Sequence, residues 1–314
     1  MPRVIRIEPT VDIRTHTSIS SIKKRRVCAY ARVSTNSDEQ ETSYEAQVDY
    51  YQKYIQAHSE WEYVGIYADE GVTGTSTKRR NGFKEMMKES SRTANYFKAL
   101  GIKKGDRVLV LLKRHYQFWF TILALHKIGA VIIPATNLLV KHDFDHRFEA
   151  GGVTAVVCTA DGDVSNEAEK AAVNYPGMVK VLVGGEKEGW HNFNVERERF
   201  STHFDRTENT PCGNDPMLML FTSGTTGYPR IATHSYKYAL GHYPTAKHWH
   251  NVNPDGLHFT ISDTGWGKAL WGKLYGQWLC EAGVFTYDFD RFHSEDILPM
   301  FAKYNITTFC APPT

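Results

Sequence analysis

The chain has 314 residues, of which 41% are apolar and 23% charged, the proportions of a globular protein that buries a core. That excludes intrinsic disorder, collagen-like repeats and small disulfide-stapled scaffolds, and leaves room for one large domain or two ordinary ones. Thirty-seven basic and 35 acidic residues give a net charge of +2, so no dominant field draws the chain to nucleic acid. Cys28, Cys158, Cys212, Cys280 and Cys310 are widely spaced and form no CxxC pair, which predicts reduced thiols in a cytoplasmic protein. The N-terminus, MPRVIRIEPTVDIRTHTS, lacks the apolar run of a signal peptide.

Taken in chain order, RRVCAYARVS (25–34) has the short apolar run of a buried strand, behind the basic cluster 23–26. That KKRR run reads either as a solvated strand flank or as a contact for DNA phosphates. SYEAQVDYYQKYIQA (43–57) spaces Ala46, Tyr50, Tyr54 and Ala57 as one face of a helix. WEYVGIYAD predicts a second strand and EGVTGTSTKRRNG a turn-rich loop. This β-α-β start implies parallel pairing, with ligands bound beyond the strand C-termini.

After residue 87 the texture changes. FKEMMKESSRTANYFKAL predicts a helix, and GDRVLVLL a strand. Phe118 to Ala135 is the greasiest stretch, but His126, Lys127, Gly129 and Pro134 interrupt it. A helix followed by a short strand is therefore expected rather than a bilayer span. AGGVTAVVCTA, PGMVKVLVGG, FTISD and NITTFCAPPT predict further strands, so this part is also α/β. Residues 162–210 are polar with weak periodicity and are expected to be surface connections.

Two motifs carry chemistry. Arg32 and Ser34 lie two apart at a strand end and so share a face. A serine beside a guanidinium suits nucleophilic attack on a phosphate, but RxS recurs by chance, and the spacing alone favours an ordinary strand end. YARVSTNSDEQ, SYEAQ and YADEGVTGTSTKRRNGF together resemble the catalytic domain of the serine recombinases (resolvase/invertase) over residues 23–87. The resemblance implies Ser34 as the nucleophile on DNA and Arg32 as its phosphate partner. It also implies Gln47 and Asp69 as supporting polar residues and Arg80 as the arginine after the flexible loop. The later Arg-x-x-Arg-type pair of that family is missing, with only Arg114 in its place. Losing such donors costs about 10²–10³-fold each, which argues against strand exchange.

The second motif is MLMLFTSGTTGYPR (217–230), an apolar run followed by a Ser/Thr/Gly loop. Its backbone N–H groups and hydroxyls suit phosphate oxygens, and Arg230 adds a cation. It is not GxxxxGK[ST], so the P-loop NTPase pattern is excluded. On chemistry alone a flexible surface loop remains open. Together with NYFKALGIKKGDRVLVLLKRHYQFWFTILALHKIGAVIIPAT and ITTFCAPPT, it resembles the AMP-forming acyl-CoA synthetase superfamily, medium-chain type, over residues 88–314.

That resemblance implies a loop of Thr222, Ser223, Gly224, Thr225, Thr226 and Gly227 on the ATP phosphates with Mg²⁺, and a carboxylic or fatty acid activated as an acyl-adenylate before transfer to coenzyme A. Arg230 stands where the family usually has lysine. Trp266, Trp271 and Trp278 either line the acyl pocket or simply fill the core. His234, His242, His248, His250 and His258 lack zinc spacing, and no metal site is expected of them. The sequence stops at Thr314, ahead of that family's adenine- and ribose-binding motifs and its lid lysine, which predicts impaired turnover.

The expected fold is therefore α/β, with a short resolvase-like β-α-β module (1–87) followed by the N-terminal part of an acyl-CoA synthetase large domain (88–314). The expected function is an AMP-forming carboxylate–CoA ligase fragment behind a serine recombinase N-terminus. The alternatives are a DNA-acting recombinase with a foreign tail and a non-enzymatic remnant.

Overall fold

A computed structural model describes residues 25–33, 49–50, 52–58, 61–70, 81–222, 229–254, 256–289 and 291–311. The chain divides into two compact units, 1–83 and 84–314. In the first, β1 (Arg25–Val33) and β2 (Trp61–Glu70) pair in parallel. The described residues between them, 49–50 and 52–57, are helical and bury Ile55. Tyr54 lies 6.1 Å from the Tyr50 ring and 4.5 Å from His58, centroid to centroid. Parallel partners need such a crossover, because a two-residue turn can join only antiparallel strands.

The second unit is built on a seven-stranded sheet. Its strands are β3 (Arg107–Leu111), β4 (Val131–Pro134), β5 (Ala155–Thr159), β6 (Val179–Val183), β7 (His191–Asn192), β8 (Pro216–Thr222) and β9 (Arg230–Ser235). Their order is β7-β6-β5-β3-β4-β8-β9, parallel except where β9 runs antiparallel to β8 at the edge. The central strands are continuous apolar runs because helices cover both faces.

Alternate residues of β3 define the two layers. Val108 and Val110 pack with Tyr96 and Phe97 of α1 (Asn81–Ala99) and with Phe118 and Ile122 of α2 (Gln117–Ile128). Leu109 and Leu111 pack with Phe144 and Phe148 of α3 (Lys141–Gly151) and with Ala168 of α4 (Val164–Ala172). The greasy stretch thus forms a helix and a strand, as its punctuation predicts. Gly129 ends α2 in the left-handed region, at φ 85°. A Cβ there would sit 3.2 Å from Pro211, so glycine suits the position on both counts. Among the described residues no helix is long and apolar enough to cross a membrane.

Residues 162–210 differ from the surface connections expected of them. Val164, Ala168 and Ala171 of α4 are buried, as is Phe193 of the short α5 (Phe193–Glu196). Arg197 is buried too, with its guanidinium 2.5 Å from Glu89 and its plane over the Phe120 and Phe193 rings. The weak periodicity hid these contacts because the core residues are isolated among polar ones, and because a buried charge pair reads as surface in sequence.

Beyond β9 come α6 (Lys237–Gly241), a π-helical turn (Thr245–Trp249) and a three-stranded parallel sheet. Its order is β11 (Gly283–Phe285), β10 (Leu257–Thr260), β12 (Thr308–Cys310). Helices α7 (Gly267–Lys273), α8 (Tyr275–Leu279) and α9 (Ser294–Lys303) connect it. Phe259, Phe289 and Ile297 form its small core. Cys158, Cys212, Cys280 and Cys310 are free thiols, and burial pushes the Cys158 thiol up to about 12.

Candidate functional site

The C-terminal ends of β5, β3, β4 and β8 make one edge of the large sheet, the edge where open α/β sheets bind ligands. At β8 the Ser/Thr/Gly loop departs. Residues 223–228, and with them Ser223, Gly224, Thr225, Thr226 and Gly227, lie outside the described residues, but both ends of the loop are held. Thr222 faces Arg230 in the antiparallel register, and its hydroxyl donates to the Arg230 carbonyl at 3.3 Å. The Pro229 carbonyl lies 3.3 Å from His146 Nε2. Phe221 carries the Arg147 guanidinium 5.1 Å from its ring centroid and meets the His146 ring edge-on. Arg230 itself is exposed, and no ion pair or hydrogen bond engages its guanidinium among the described residues.

Along the same edge, at the ends of β3 and β5, lies a charged wall that sequence reasoning missed. Lys113, Arg114 and His115 leave the end of β3, Asp161 follows β5, Asp263 follows β10, and Asp288 follows β11. His115 Nδ1 is 2.9 Å from Asp288 Oδ2, and its Nε2 is 2.8 Å from the Thr159 hydroxyl. Lys113 Nζ is 3.3 Å from Asp161. Arg114 donates to the carbonyls of Ile261 at 3.3 Å and Phe289 at 3.0 Å, and stacks on the Phe289 ring. Burial would raise the Asp288 carboxyl, but the His115 hydrogen bond and the nearby charges of His115, Lys113 and Arg114 outweigh it and hold that group below its ordinary range. Lys273 is fully buried against Arg114, Asp263 and Asp288, and burial lowers its ammonium to about 7.

This wall ties the two sheets together. Lys113 has φ 49°, a strained value for a lysine, and is pinned there by Thr264, whose N–H and hydroxyl both donate to its carbonyl. Gly265 lies so close to β4 that a Cβ would come within 2.3 Å of the Ala135 carbonyl. Backbone cannot yield as a flexible side chain does, so Gly265→Ala is expected to lower stability by about 1–3 kcal/mol, measured as a shift in urea midpoint at unchanged slope.

A family model described as AMP-binding enzyme matches residues 65–314. The chain belongs to the AMP-binding enzyme family. Human mitochondrial acyl-coenzyme A synthetases ACSM4 and ACSM3 are each 31% identical to it over 248 residues, 77% of this chain and 42% of the relative. The chain thus spans less than half the length of those curated relatives. An acyl-CoA synthetase from Brucella canis shares the fold, with a TM-score of 0.66 at 23% identity over 74% of this chain and 42% of that one. So does an anthranilate CoA ligase solved with anthranoyl-AMP, with a TM-score of 0.66 at 19% identity over 72% of this chain and 44% of that one.

In this member of the AMP-binding enzyme family, the remaining expected site residues fall as follows. Arg32 and Asp69 are register partners across β1 and β2. Ser34, Gln47 and Arg80 lie outside the described residues, so the recombinase-like constellation stays a sequence resemblance. Among the described residues no ring contact joins the three tryptophans to one another. Trp266 is exposed ahead of α7, Trp271 stacks on His250 at 5.6 Å, and Trp278 meets Trp119 at 6.1 Å. Among the described residues no group of three or more His, Cys, Asp or Glu could hold a metal ion.

Proposed function

We propose that this chain grips the nucleotide phosphates in carboxylate activation, joining a carboxylic acid to ATP to give an acyl-adenylate and pyrophosphate. The observation that carries the reading is Arg230. It is exposed, its guanidinium has no ion pair or hydrogen bond among the described residues, and its backbone pairs with Thr222 at the two ends of a loop of hydroxyl and glycine residues at the C-terminal edge of the parallel strands. A cation in that position suits phosphate oxygens bidentately. Thr222, Ser223, Thr225 and Thr226 would offer hydroxyls, and Gly224 and Gly227 would let phosphate approach the backbone. Mg²⁺, which neutralises phosphate charge, would enter with the nucleotide.

The acid proposed is a fatty or other apolar carboxylic acid, in keeping with the acyl-coenzyme A synthetases this chain resembles, and coenzyme A is the proposed acceptor of the acyl group. The test is carboxylate-dependent exchange of labelled pyrophosphate into ATP, run beside binding of a fluorescent ATP analogue. Exchange that needs the acid and is lost when Thr222, Thr225 and Thr226 are changed to alanine is the expected result. Failure of both exchange and nucleotide binding would sink the reading.

A further inference from the structure

From Pro216 to Pro254 the sequence contains no Asp or Glu, while it carries Arg230, Lys237, Lys247 and four histidines. Most of this stretch beyond β9 folds into α6 and the π-helical turn, which pack against α8. Large apolar side chains take up half of the exposed positions of these three short elements. Trp249 is 74% exposed, Leu240 65% and Leu279 42%, with Tyr243 and Trp278 partly exposed beside them. Lys247 interleaves with them, its Nζ 3.0 Å from the Tyr243 hydroxyl and 5.3 Å from that ring's centroid. Lys237 and His248 are exposed on the same elements. Glu281, at the end of α8, is the carboxylate at the rim.

An exposed apolar patch this dense calls for an occupant. The composition selects among occupants. A protein–protein core would concentrate its apolar side chains and exclude lysine. Here large aromatic and aliphatic groups alternate with the cations of an acid-free stretch, 216–254, and the carboxylate of Glu281 stands at the rim. That is the complement of an anionic lipid surface, where Trp and Leu enter the headgroup region and lysines remain at the phosphates. We propose that the surface formed by α6, the Thr245–Trp249 turn and α8 docks peripherally on anionic lipid bilayers, with Trp249 and Leu240 as apolar anchors and Lys237 and Lys247 as phosphate contacts. This inference is independent of the nucleotide reading, since none of these residues belongs to the loop or the charged wall.

The experiment is flotation of the full chain with vesicles of phosphatidylcholine alone and of phosphatidylcholine with 30% phosphatidylglycerol, at about 0.1 M and about 0.5 M salt. Binding is expected to the anionic vesicles at low salt and to fall at least several-fold at high salt, because a surface potential is screened within a Debye length. Trp249→Ala is expected to weaken binding about tenfold. Leu240→Ser with Lys247→Glu should do the same while leaving binding of the fluorescent ATP analogue unchanged, which separates failure here from failure of the nucleotide site. Equal binding by the variants, binding that ignores lipid charge and salt, or no binding at all would overturn the proposal. So would a dimer in sedimentation equilibrium that Trp249→Ala converts to monomer, because the patch would then be covered by a second copy.

Discussion

Arg230→Ala will lower carboxylate-dependent ATP–pyrophosphate exchange by about 10²-fold or more, and Arg230→Lys will recover part of the loss. The expectation follows from where the residue stands and from what it lacks. β9 begins at Arg230, opposite the last residue of β8, so the antiparallel pair holds its backbone at the mouth of the loop. Its guanidinium has no competing carboxylate among the described residues, so its charge is available to a ligand. Removing a single preorganised donor from developing phosphate charge costs roughly 10²–10³-fold in comparable sites. Lysine restores the charge but not the planar two-point geometry, so recovery should be incomplete. If alanine left exchange at the wild-type level while nucleotide binding persisted, Arg230 would be a surface residue and the loop alone would carry the phosphates.

The same element shows what could be read from the sequence. The apolar run MLMLF and the small-residue loop after it marked the end of a strand, β8, without any coordinates. Likewise, the glycine at 129 and the proline at 134 were enough to divide the greasy stretch into α2 and β4. The antiparallel turn of β9 was not legible, because RIATHS has no pattern that distinguishes an edge partner from a parallel neighbour. The charged wall was less legible still. Lys113, Arg114, Asp263, Lys273 and Asp288 are spread over 176 positions of sequence, and only parallel strands ending together bring them to one place. Clusters of that kind belong to topology, not to local propensity. The one signal available was three consecutive cationic or titratable residues, Lys113, Arg114 and His115, directly behind a buried strand, where solvent-exposed loop chemistry would be commonplace.

Lys273→Met will stabilise the fold in acid and lose that advantage in base. An unfolded lysine keeps its proton up to about pH 10.5, whereas burial and the positive charge of Arg114 lower Lys273 to about 7 in the folded chain, partly offset by Asp263 and Asp288. Between those two values the unfolded chain binds one proton more than the folded one. Stability therefore rises with pH across that window, and below pH 7 the unfavourable contribution of the buried ammonium is fully present. A shift of this size corresponds to several kcal/mol, on the order of 5, before relaxation of the site is counted. Methionine fills a similar volume without a charge to desolvate. The two aspartates it leaves behind keep other partners: Asp288 its bond to His115, and Asp263 the Arg114 guanidinium at 3.9 Å. The net gain expected at pH 6 is accordingly about 1–3 kcal/mol, shrinking toward zero or reversing near pH 10. Urea unfolding of both proteins at pH 6, 8 and 9.5 measures it. The same increment at all three pH values would mean that Lys273 is not titrating inside the fold, and that its burial is relieved by water or by a carboxylate drawn closer than the structure places it.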